Sequence, residues 1–193
     1  MPPPDLSKFN IFYRSRLWSL IWAYVALIYM TLPVMRFLLQ TLRELLGPEG
    51  LSLGFNAVLI LAACSLMLIA IKRGWRALVL LCIPLGIIGV SAIQLDIPEE
   101  RVHFLQYGIL GILVVFTLRR WSIPLFLIAA VFVAMVGAVD ELIQWALPNR
   151  VGDLRDVLIN TVAGVLGVTM GIILRPPSRS KGPEAQASRS TIS

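Results

Sequence analysis

Six stretches of the chain are nearly free of charged side chains: residues 17–39, 51–71, 77–93, 102–118, 123–147 and 157–174. Each is about 17 to 25 residues long, the length a helix needs to cross roughly 30 Å of hydrocarbon. Helix is the form expected for all six, because lipid offers no water to an open backbone. Pro98 and Pro148 close two of the blocks or turns, whereas Pro33, Pro84 and Pro124 lie within or at the start of apolar runs and can kink or begin helices. The pattern predicts an all-α, polytopic integral membrane bundle of six transmembrane helices over residues 17–174. An N-terminal segment, 1–16, precedes it and a tail, 175–193, follows. The first apolar run comes after Lys8, Arg14 and Arg16 like the core of a signal peptide. It is too long for one and no small-residue cleavage pattern follows, so it is expected to remain as a signal anchor. The tail, RPPSRSKGPEAQASRSTIS, is Pro- and Ser-rich without periodicity and reads as disordered.

Composition sharpens this picture. Of 193 residues, 58% are hydrophobic and only 15% charged, and the mean hydropathy is +0.82, far from the usual soluble domain. The net charge of +6 bears first on orientation, and nucleic acid is not an expected partner. With the N-terminus in the cytoplasm, 12 of the 17 Lys and Arg residues fall inside, leaving Arg36, Arg43, Arg101, Arg150 and Arg155 outside. Both termini are therefore expected in the cytoplasm. The acids divide the other way, only Asp5 and Glu184 falling inside, so polar chemistry is concentrated on the outer face. Trp18, Trp75, Trp121 and Trp145 stand near span ends as headgroup anchors. Cys64 and Cys82 lie inside apolar blocks and read as small buried hydrophobes. No phosphate-binding loop, dinucleotide fingerprint, CxxC pair or HExxH is present.

Candidate chemistry gathers in two outward turns. Asp140, Glu141 and Gln144 share a broad helical face at the end of the fifth block, and Asp153, Asp156 and Asn160 share one at the start of the sixth. Asn160 leads into Gly164, Gly167 and Gly171, a stripe along which helices can pack closely. His103 and Tyr107 are four apart at the outer end of the fourth block, at comparable depth. Asp153 and Asp156 can equally be helix caps. Asp140 and Glu141 fit capping poorly, since a helix C-terminus disfavours negative charge. Arg150 or Arg155 is the cheapest ion-pair partner for them, and a working site is the competing reading. A single histidine cannot make a multi-histidine zinc site. A histidine among carboxylates leaves a divalent ion open, but no metal and no cofactor is expected.

The segments PEERVHFLQYGILG and VDELIQWALPNRVGDLRDVLINTVAGVLG resemble the VanZ-like membrane protein family, over about residues 95–173. The matching positions are His103, Tyr107, Glu141, Gln144, Arg150, Asp156, Asn160, Gly164 and Gly167. One position departs: Glu100 stands where many members have Lys. The resemblance implies a protein of the bacterial cytoplasmic (inner) membrane, similar to factors that give resistance to the glycopeptide teicoplanin, and it supplies no reaction. The candidate catalytic residues are then His103, Tyr107, Glu141, Gln144, Asp156 and Asn160. Glu141 or His103 would act as acid or base, Tyr107 and Asn160 would orient, and Arg150 would hold a substrate phosphate or carboxylate. Expected partners are the lipid bilayer and a cell-envelope component such as a lipid-linked intermediate or a glycopeptide. A proton-coupled transporter and a noncatalytic envelope scaffold are the alternatives, and whether the protein is an enzyme stays open.

Overall fold

Gly47 and Gly74 punctuate the N-terminal half. The computed structural model describes residues 6–95, 97–118, 122–147 and 153–175. Helix α1 spans Leu6–Arg73 and is broken only at Gly47, whose φ of 71° leaves the helical region. Pro48 follows and restarts the helix, as a proline does in a first turn. The first two apolar blocks are thus two arms, 6–46 and 48–73, of one interrupted helix. The intervening sequence, TLRELLGPEG, lies between the two apolar blocks. Its Leu, Arg and Glu are strong helix formers, so the helix continues until Gly47.

Gly74, at φ 109°, ends the second arm and donates to Ala70 O and Ile71 O at 3.1 and 3.2 Å. The chain reverses there into α2 (Trp75–Gln94). A single 3-10 turn at Pro98–Glu100 leads into α3 (Arg101–Thr117). Ser122 caps α4 (Ile123–Ala146), accepting from Leu125 N, with Pro124 in the first turn. Asp153 caps α5 (Leu154–Leu174) by accepting from Arg155 N at 2.9 Å. Pro33 and Pro84 stay inside helices.

Among the described residues there are helices and no strands. Part of α1, together with α2, α4 and α5, is long and apolar enough to cross a membrane. At 17 residues, α3 is shorter. All six expected blocks are helical, the first two being separate arms on either side of Gly47, where the backbone leaves the helical region. The exterior carries exposed Phe37, Ile60, Leu80, Ile93, Val131 and Leu142. Such a surface would aggregate in water and is ordinary in lipid. Cys64 and Cys82 also lie on this surface rather than inside. Apolar character does not separate the interior of a membrane bundle from its lipid-facing side.

The centre of the molecule is the pair α3 and α5, packed through small residues. A Cβ built on Gly111 would stand 2.6 Å from Val168 N, and one on Gly167 would stand 2.9 Å from Gly108 Cα. Gly171 meets Val115 in the same way, whereas Gly164 is closed off by Val133 of α4. The expected glycine stripe therefore packs, and it does so against two helices. Gly108 and Gly111 are its unforeseen counterparts on α3. The first arm docks by a narrower seam, Ile21, Val25, Ile28 and Leu32, at alternating four- and three-residue spacing. Tyr24 and Tyr29 reinforce it, donating to Gln106 O at 3.2 Å and Val136 O at 2.9 Å. The second arm, α2 and α3 line an open apolar pocket of about 340 Å³ whose walls include Leu59, Leu66, Ile88 and Phe104.

Candidate functional site

Three helices contribute side chains to one buried polar cluster. Tyr107 on α3, Asp140, Glu141 and Gln144 on α4 and Asn160 on α5 are each at most 5% exposed. Polar groups removed from water this completely cost about 1–3 kcal/mol each unless paired, and here they pair with one another. The Tyr107 hydroxyl donates to Asp140 Oδ2 at 2.6 Å. Gln144 Nε2 donates to Glu141 Oε1 at 3.1 Å and to Asp140 Oδ1 at 3.4 Å. Asn160 Nδ2 reaches Glu141 Oε1 at 3.3 Å, and the backbone N–H of Asp153 reaches Glu141 Oε2 at 3.4 Å. Helix periodicity makes this possible. Asp140 and Gln144, like Glu141 and Gln144, are a turn apart on α4, and the start of α5 lies beside the end of α4, with Asp153 against Glu141.

Room for Asn160 comes from Gly137, where a Cβ would stand 2.7 Å from Asn160 Cβ and 3.5 Å from the Tyr107 ring. His103, one turn before Tyr107, lays its ring against the tyrosine with centroids 6.3 Å apart and planes at 27°. It is half-buried, as is Asp156. Donor atoms of His103, Glu141 and Asp156 all lie within 4.8 Å of one another. Six of the expected site residues, His103, Tyr107, Glu141, Gln144, Asp156 and Asn160, are therefore brought together. Arg150, expected to bind substrate, lies outside the described residues.

Asp140 was expected on the helical face it shares with Gln144 but was not among the candidate site residues. At 1% exposure it is among the most deeply buried polar residues of the cluster. What spacing along α4 could not supply was its partner on α3, Tyr107. Arg155 does not pair with Asp140 or Glu141, the role held open for it. It forms an ion pair with Glu100 at 3.4 Å, because α5 begins beside the 3-10 turn before α3. Glu100 is thus an acid that meets a cation from α5. Arg101 was also missed as a structural residue. It is buried and donates from Nε to Ala92 O at 2.9 Å and from Nη1 to Ser52 Oγ and Asn56 Oδ1 at 2.8 and 3.0 Å. One guanidinium so ties the second arm of α1 and α2 to the start of α3.

The chemistry available follows from who is already engaged. Both oxygens of Asp140 accept internal hydrogen bonds, so it holds Tyr107 and Gln144 in place. Glu141 is oriented by three donors but retains acceptor capacity, since a carboxylate offers about four lone-pair sites. His103 and Asp156 are the members reachable from outside. The cluster can hold a cation or exchange a proton at its outer edge.

An apolar exterior around helices of spanning length, with a polar cluster largely buried among them, defines an integral membrane protein. Residues 99–175 match the VanZ/LLP1 family model, so this stretch of the chain is similar to that family. No curated protein and no solved structure matches the chain.

Proposed function

We propose that this is a multi-pass protein of the bacterial cytoplasmic membrane that binds or acts on a cell-envelope component through the cluster around Glu141. A lipid-linked intermediate or a glycopeptide of the teicoplanin type is the class of component that the VanZ-like domain favours. The reading rests above all on one observation: Tyr107, Glu141 and Asn160 meet from three helices inside that domain. The half-buried His103 and Asp156 at the cluster's edge give a ligand access to it. The two arms of α1 and the four later helices make six crossings with both termini in the cytoplasm, as the distribution of Lys and Arg favours.

The functional test is expression in a susceptible bacterium, with teicoplanin susceptibility measured beside the profile of lipid-linked intermediates. Wild-type protein should change at least one of the two. Glu141→Gln and His103→Ala, at equal membrane abundance, should change neither. A Glu141→Gln variant that works like wild type speaks for the scaffold. Topology is read by cysteine labelling: a cysteine placed at Pro148 should react from outside and one after Arg175 only from the cytoplasm. The reverse pattern would overturn the orientation.

A further inference from the structure

We propose that His103, Glu141 and Asp156 hold a divalent cation at the outer edge of the polar cluster. Donors bound at roughly 2.1 to 2.4 Å stand at most about 4.2 to 4.8 Å apart around one ion. The imidazole and carboxylate atoms of these three residues already lie within 4.8 Å of one another, although they come from three different helices. A second observation points to the same place. Asn160 is fully buried, and its Oδ1 has no hydrogen-bond partner among the described residues. The nitrogen of the same amide donates to Glu141 Oε1, so the amide is in contact with the carboxylate that would bind the ion. A buried carbonyl oxygen left in this state costs free energy that a cation would recover.

The surroundings are those of a prepared site. The ring of His103 is stacked on Tyr107, and Tyr107 is fixed by Asp140. Gln144, Asn160 and the Asp153 N–H hold Glu141. Partners of this kind orient metal ligands from behind. One imidazole with oxygen donors suits Mn²⁺ or Zn²⁺ better than Ca²⁺. Since His103 and Asp156 are half-buried, coordination positions face outward, where water or an anionic oxygen of a ligand can complete the shell.

The experiment uses the full chain in lipid nanodiscs, stripped with chelator and titrated with Mn²⁺, free Mn²⁺ being read by electron paramagnetic resonance. One ion per chain should bind, and pulsed spectra should show coupling to an imidazole nitrogen. His103→Ala should remove that coupling. Asp156→Asn and Asn160→Ala should each weaken binding by about tenfold or more, whereas Glu44→Gln on the exposed part of α1 should not. Helical circular dichroism and monodispersity identify the variants that are folded, and the nitrogen coupling tests the site in wild-type protein even if a variant fails. Absence of stoichiometric binding, absence of nitrogen coupling, or equal affinity in folded His103→Ala and Asp156→Asn would each overturn the proposal. Because the readout is metal occupancy, its failure is separate from any failure of the envelope function.

Discussion

The two halves of the molecule obey the same composition and pack by different rules. From α3 onward, backbones approach through Gly108, Gly111, Gly164, Gly167 and Gly171, and the buried polar cluster sits beside this contact. In α1 and α2 the glycines Gly54, Gly86 and Gly89 have nothing within 4 Å of where a Cβ would be. No residue between Leu32 and Leu51 is buried. In lipid, apolar surface gains nothing by leaving one hydrocarbon environment for another, so close fit and hydrogen bonds must supply cohesion. The VanZ-like half has both, and the N-terminal half is held by a few tyrosines and one arginine.

The same substitution made in both halves gives the strongest test. Gly167→Leu should cost about 3 kcal/mol or more, since its side chain would enter the backbone of α3. Gly86→Leu should stay within about 0.5 kcal/mol. Thermal unfolding in one detergent measures both, and equal losses would erase the contrast. Next in size, Glu141→Ala should cost about 2–3 kcal/mol by stranding the amides of Gln144 and Asn160. Glu141→Gln should recover part of that stability without recovering function.

How far the sequence could be read differs between the halves as well. Apolar blocks gave the helices, and three- and four-residue spacings gave the faces bearing Glu141, Gln144, Asp156 and Asn160. Spacing along one helix carries no information about register between helices. For that reason the Tyr107–Asp140 bond and the facing Gly108 and Gly111 were not foreseen. Arg101, at a helix start beside two glutamates, reads as a solvated charge, and only the path of α1 and α2 encloses it. Arg155 was offered to the wrong acids because Glu100 is distant in sequence and close only after α5 packs on α3.

Smaller perturbations probe the ties between halves. Arg101→Met should cost about 1–2 kcal/mol, leaving Ser52, Asn56 and the Ala92 carbonyl without their donor. Protease accessibility of α1 and α2 should rise while the domain over residues 99–175 stays protected. Tyr29→Phe, which removes only the bond to Val136 O, should cost about 1 kcal/mol by denaturant titration. Arg155→Ala should cost about 0.5 kcal/mol or less, because its pair with Glu100 is partly exposed and screened by salt.

The contact between α3 and α5 also sets what can move. Sliding one helix past the other by a single residue, about 1.5 Å, would bring a side chain to a position where only a hydrogen atom fits. The pair therefore behaves mechanically as one stiff beam. His103 and Tyr107 are fixed to one half of that beam, Asp156 and Asn160 to the other, and their spacing is held constant. Any opening of the cluster must then come from the parts fastened more loosely: α4 tilting about Gly137, or the first arm of α1 swinging on Tyr24 and Tyr29.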